Sequence, residues 1–127
     1  MAIGSLRSLD ISDEEVTRIL DRLDAADAHP PFDRREHGRQ PLRGKAIVVK
    51  AQTKGPLSVG YRAYLRNVSD GGLAFIAAMS ISPGTLLELE LPPGPAWQTT
   101  KAIVRHCRYV ETGVQEIGAE FVRQDTQ

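Results

Sequence analysis

The chain has 127 residues, 41% of them hydrophobic and 25% charged, which suits one globular domain with a real core and is too short for two. A single cysteine, Cys107, excludes an internal disulfide framework and fits a reducing cytoplasm, and no apolar run approaches membrane-spanning length. The formal net charge of zero hides an asymmetry: residues 1–33 carry three arginines against eight carboxylates, a net of −5, and residues 34–127 carry 13 basic against 8 acidic residues, a net of +5.

The start of the chain has no basic segment followed by an apolar stretch, so no secretory signal is expected. For the same reason Asn67-Val68-Ser69, which has the form of a glycosylation acceptor, is not expected to carry a glycan. Residues 12–26 are predicted to form a helix. Ser12 and Glu15 have capping-box spacing, Asp13 and Glu14 add negative charge to the first turn, and no Gly or Pro follows before Ala28. Val16, Ile19, Leu20 and Leu23 fall at i, i+3, i+4 and i+7, one apolar stripe that must be buried against the protein's own barrel or against a partner.

Ala28-His29-Pro30-Pro31-Phe32-Asp33 ends the helix and opens an extended linker, and Gly38 and Pro41 keep Arg34-Arg35-Glu36-His37-Gly38-Arg39 out of regular helix as well. In an extended chain Arg35 and Arg39 point to the same side with Cα atoms roughly 13 Å apart. Residues 34–66 hold nine basic side chains against Glu36 alone. Such a run either draws an anionic ligand or forms a solvated basic face.

Six strands are predicted after the linker, near Leu42–Ala51, Ser58–Val68, Gly72–Ala77, Thr85–Leu91, Trp97–Val110 and Val114–Val122. Val59, Tyr61, Ala63 and Leu65 alternate with Arg62 and Arg66, although Tyr64 blurs the outer face. Leu87, Leu89 and Leu91 alternate cleanly with Glu88 and Glu90. Thr53-Lys54-Gly55-Pro56, Ser82-Pro83-Gly84 and Pro92-Pro93-Gly94-Pro95 are turns. Six short antiparallel strands at this spacing suggest a closed barrel, which removes exposed sheet edges.

Between the second and third strands stands Asn67-Val68-Ser69-Asp70-Gly71-Gly72. Taken alone it is an ordinary turn. Paired with the arginines it becomes a candidate site. Guanidinium forks suit phosphate oxygens and the O6/N7 edge of guanine. The Asn67 oxygen can accept from guanine's N–H groups, and Ser69 with the glycines permits close backbone approach. The combination describes a site for a guanine-containing, phosphate-rich ligand. No other cluster rises to chemistry. His106 and Cys107, adjacent on a strand, point to opposite faces, and without a second cysteine a zinc site or Cys–His nucleophile is not expected. Glu88 and Glu90 are expected on a solvated face, and Trp97 and the tyrosines are expected to pack.

The two signals resemble the PilZ domain, the bacterial receptor module for cyclic di-GMP, whose pattern is RxxxR followed by [D/N]xSxxG. Both halves stand here, as Arg35 and Arg39 and as Asn67, Ser69 and Gly72. Gly72-Leu73-Ala74-Phe75, Leu86–Leu91 with Pro92, and Ile117-Gly118-Ala119-Glu120-Phe121-Val122 are similar to that family's strands. The resemblance implies an all-β fold, a six-stranded antiparallel barrel over 32–122, preceded by an extension over 1–31 with the helix and followed by a short tail over 123–127. Many members place a helix after the last strand; here Arg123–Gln127 is too short for one, so the helix over 12–26 is expected to cover that opening.

By the same resemblance, Arg35 and Arg39 bind phosphate and the guanine Hoogsteen edge, Asn67 accepts from a guanine Watson–Crick edge, Ser69 contacts phosphate or base, and Gly71 and Gly72 supply backbone geometry. Arg34 either accompanies two intercalated ligands, as an arginine there tends to in this family, or is one more solvated cation. The implied protein is a non-enzymatic cytoplasmic receptor that uses no cofactor, binds cyclic di-GMP, two molecules per chain, and signals to an unidentified downstream protein. A PilZ-like adaptor with weak or no ligand binding is the alternative. A nucleic-acid-binding barrel is disfavoured by the 6% aromatic content and zero net charge, and no membrane insertion is expected.

Overall fold

The computed structural model describes residues 8–27, 43–52, 60–69, 71–91 and 98–122. The linker with Arg34, Arg35 and Arg39 therefore lies outside the described residues, as do Asp70 and Trp97. Helix α1 spans Asp13–Asp27, and the strands are β1 (Ala46–Gln52), β2 (Tyr61–Val68), β3 (Gly72–Ala77), β4 (Leu86–Leu91), β5 (Gln98–Glu111) and β6 (Val114–Phe121). The strands close into one barrel in the order β1-β2-β3-β6-β5-β4, with every pairing antiparallel.

Alternation fills the interior. Ile47, Val49, Ala63, Leu65, Phe75, Leu87, Leu89, Val104 and Ile117 are fully buried and belong to one cluster. β1 begins later than the sequence suggests. Gly44 takes a left-handed turn at φ +83°, and Gly44 N and Lys45 O pair with Leu65 before regular pairing starts at Ala46. Glycine occupies that conformation without the strain a side chain would add.

The helix starts as its capping residue dictates, with Ser12 Oγ accepting from Glu15 N at 3.1 Å. Its stripe, Val16, Ile19, Leu20 and Leu23, is buried in a second cluster together with Leu9 and the barrel residues Tyr64, Ile76 and Val114. These barrel residues face outward, which explains why Tyr64 interrupts the polar face of its strand: it sits under α1. The segment before the helix is pinned as well, since Leu9 N donates to Arg62 O at 2.9 Å and Arg62 N donates to Ser8 Oγ at 2.8 Å.

Ion pairs ring the helix. Arg43 donates to Asp24 at 2.7 Å and Asp21 at 3.0 Å, while Arg66 donates to the other Asp24 oxygen at 3.0 Å. Glu111, at the end of β5, receives Arg18 at 3.0 Å and Arg22 at 2.9 Å. Partial burial opposes the charge of Arg43, but its hydrogen bonds to Asp24 and Asp21 outweigh that and hold its pKa above the ordinary value. Hydrogen bonding from Arg18 holds Glu111 below the ordinary carboxylate value.

Two outcomes follow. Leu20→Ala removes a fully buried side chain from the helix–barrel cluster, and urea unfolding is expected to show a loss of about 2–5 kcal/mol. For Glu111, a depressed folded-state pKa means that its contribution is complete above the usual glutamate range near pH ~4.3 and is lost as pH falls through and below it. Acid titration followed by circular dichroism should therefore show a shallower stability loss in Glu111→Gln than in the wild type.

Candidate functional site

A strand lining a barrel alternates inward and outward, so with Leu65 pointing in, residue 67 should also point in. It does not. The β2–β3 register shifts between Leu65 and Asn67: Leu65 opposes Phe75, Asn67 opposes Ala74, and Arg66 is the extra residue. The bulge turns Arg66 and Asn67 to the same outer side, and Val68 packs against the core. Asn67 is thereby exposed on the barrel surface, at the head of the Asn67–Gly72 motif.

The rest of the motif is a tight connection. Ser69 N donates to Gly72 O at 2.9 Å, and its hydroxyl lies 3.5 Å from the same oxygen, leaving Ser69 exposed. Gly71 O receives Phe121 N at 2.9 Å, which ties the turn to the end of β6. A Cβ on Gly72 would collide with Ala119 O and lie 3.1 Å from Glu120 Cα, so β3 and β6 approach closely only because this residue is glycine. Around Gly71 the space is open. The role expected of Gly72, backbone geometry, thus belongs first to the packing of two strands.

Beside Asn67 lies a row of charge. Glu116, with only 3% of its side chain exposed, receives Arg66 Nη1 and Arg108 Nε, both at 2.6 Å. Arg66 also reaches Asp24 through Nε at 3.1 Å and Nη2 at 3.0 Å. Two of the nine basic residues in the arginine-rich stretch, Arg43 and Arg66, are accordingly committed to the carboxylates of α1 and β6. Part of the sequence's charge asymmetry is thus an internal attraction between helix and barrel.

The structure brings Asn67, Ser69, Gly71 and Gly72 together at one end of β2 and β3. Sequence reasoning missed the Asp24–Arg66–Glu116–Arg108 network. A signal for the bulge was present: Leu65 and Val68 are both apolar but three apart, a spacing that strict alternation cannot place on one face. Elsewhere, Glu88 and Glu90 are half-buried rather than freely solvated, with Glu88 opposite Lys50. Inside the barrel the Tyr61 hydroxyl is buried without a hydrogen-bond partner among the described residues, and burial, aided by Cys107, raises its pKa.

A closed six-stranded antiparallel barrel with an Asn-x-Ser-x-x-Gly turn at its surface defines a class of small β-barrel domains. The PilZ domain family model matches residues 33–127, and the chain belongs to that family. PilZ domains are binding and receptor modules, generally for cyclic di-GMP. Searches of curated proteins and of solved structures give no significant match. No helix among the described residues is long and apolar enough to cross a membrane.

The glycine contact gives a direct test. Gly72→Ala sets a methyl against the β6 backbone, and thermal or urea unfolding is expected to show a loss of roughly 1–3 kcal/mol, the usual cost of overpacking. Gly71→Ala, in open space, should stay within about 0.5 kcal/mol of the wild type.

Proposed function

We propose that this chain is a cytoplasmic receptor for cyclic di-GMP, taking up two intercalated molecules and passing the signal to a partner protein by a change in its own contacts. The observation that carries the reading is the outward turn of Asn67 at the bulge, with Ser69 and Gly72 following, in a PilZ domain that also has Arg35 and Arg39 in RxxxR spacing. In this reading the arginines hold phosphate and the Hoogsteen edge of guanine, and Asn67 accepts from its Watson–Crick edge. Arg34 contacts the second ligand.

The route outward runs through α1. Arg43, four residues beyond Arg39, is clasped by Asp21 and Asp24 of the helix. A ligand held by Arg35 and Arg39 pulls on that clasp, and so on the exposure of the apolar stripe. The chemistry required is binding and reorganisation, with no covalent step.

Calorimetric titration tests each part. Arg35→Ala and Arg39→Ala should abolish measurable cyclic di-GMP binding with melting curves near wild type. Asn67→Ala should weaken it by about 1–3 kcal/mol and reduce the preference for cyclic di-GMP over cyclic di-AMP. The equivalence point should lie near two ligands per chain and fall toward one in Arg34→Ala. Normal binding by the arginine variants would remove the reading.

A further inference from the structure

β5 carries a bulge of its own. Its register against β6 shifts between Val104 and His106: Val104 opposes Ala119, His106 opposes Gly118, and Arg105 is the extra residue. Val104 is in the core and Cys107 packs against it, so Arg105 and His106 both turn outward, as Arg66 and Asn67 do on β2. The pairings Asn67↔Ala74, Ala74↔Gly118 and His106↔Gly118 then place Asn67, Ala74, Gly118 and His106 in one row across four strands. Two small residues separate the asparagine from the histidine, over roughly 14 Å measured along the sheet.

The imidazole is laid down on that row. A Cβ built on Gly118 would meet the His106 ring at Nε2 (2.6 Å) and Nδ1 (2.7 Å), with Cε1 nearer still. An in-plane approach through the Cε1–H edge would leave both nitrogens a whole ring-bond-sized step farther off than Cε1, and that they lie only slightly farther marks a ring face, not an edge. One face of the ring covers Gly118, which is buried, while His106 itself is exposed. Its other face is therefore open to solvent, in line with the side chain that heads the ligand motif.

We propose that His106 is a stacking residue of the cyclic di-GMP site, offering its outer ring face to a guanine base, and that Gly118 is the seat that holds the ring flat. This rests on the receptor reading above and extends it to a residue outside both motifs. A flat π-face accepts any base, so His106 adds affinity, whereas base choice stays with Asn67.

The test titrates cyclic di-GMP into the wild type, Asn67→Ala, His106→Ala, His106→Phe and Gly118→Ala, while the His106 ring protons of the wild type are followed by NMR. His106→Ala is expected to bind about 5- to 100-fold more weakly, and His106→Phe to recover most of that loss. Gly118→Ala, which lifts the ring, should resemble His106→Ala. Stacking moves the His106 ring protons upfield on ligand addition, a response that a purely structural histidine would not give. Unchanged affinity in His106→Ala, or ring protons that stay put while ligand binds, overturns the assignment and leaves the receptor reading intact. A wild type that binds no cyclic di-GMP removes both. If His106→Ala fails to fold, the NMR response of the wild type and the affinity of His106→Phe still decide the matter.

Discussion

The outer surface of this barrel is organised by one extra residue in β2. A closed barrel imposes strict alternation, and Leu65 and Val68 can both reach the core only if the strand gains a residue between them. That gain sends Arg66 and Asn67 out side by side. Arg66 becomes the hub of an ion network with Asp24 and Glu116, and Asn67 becomes the exposed amide of the motif. The structural anchor and the residue proposed to recognise ligand are neighbours because the same irregularity places both.

The anchoring has two components of different character. Apolar contact between the α1 stripe and Tyr64, Ile76 and Val114 is the larger and does not depend on direction. The ion pairs contribute register. Surface pairs such as Arg18–Glu111 are individually weak in water. Glu116 differs, because a buried carboxylate is costly unless its charge is met, and Arg66 and Arg108 meet it from both sides. Since Arg66 also holds Asp24, the position of α1 is coupled to the satisfaction of a buried charge in β6.

Much of the fold was legible in the sequence. The Ser12 cap, the stripe at 16, 19, 20 and 23, and the alternation of Leu87 and Leu89 with Glu88 and Glu90 each specify a local structure that the fold keeps. The family motif located the Asn67–Gly72 turn. Less legible were the features that depend on which strands become neighbours. That Gly72 is a steric necessity, and that Gly118 lies beneath the His106 ring, follows from β6 lying beside β3 and β5, a pairing no local pattern announces. The destination of Arg43 and Arg66 likewise required knowing that an acidic helix lies against this side of the barrel, so a run that reads as free positive charge is partly neutralised within the chain.

The closure of the sheet also limits how this molecule can be recognised. Every strand has a neighbour on each side, from β1 through β4 and back. Strand addition, the mode in which a peptide extends an open sheet through main-chain hydrogen bonds, finds little edge to use among the described residues beyond the half of β5 that β4 does not reach. Elsewhere a protein that reads the state of this barrel does so through side chains: those of its outer face, those of α1, or the apolar patch that α1 covers. Main-chain pairing tolerates almost any sequence, whereas side-chain contact depends on identity. The specificity of any such encounter is therefore written in surface side chains, among them those that the bulges at Arg66 and Arg105 turn outward.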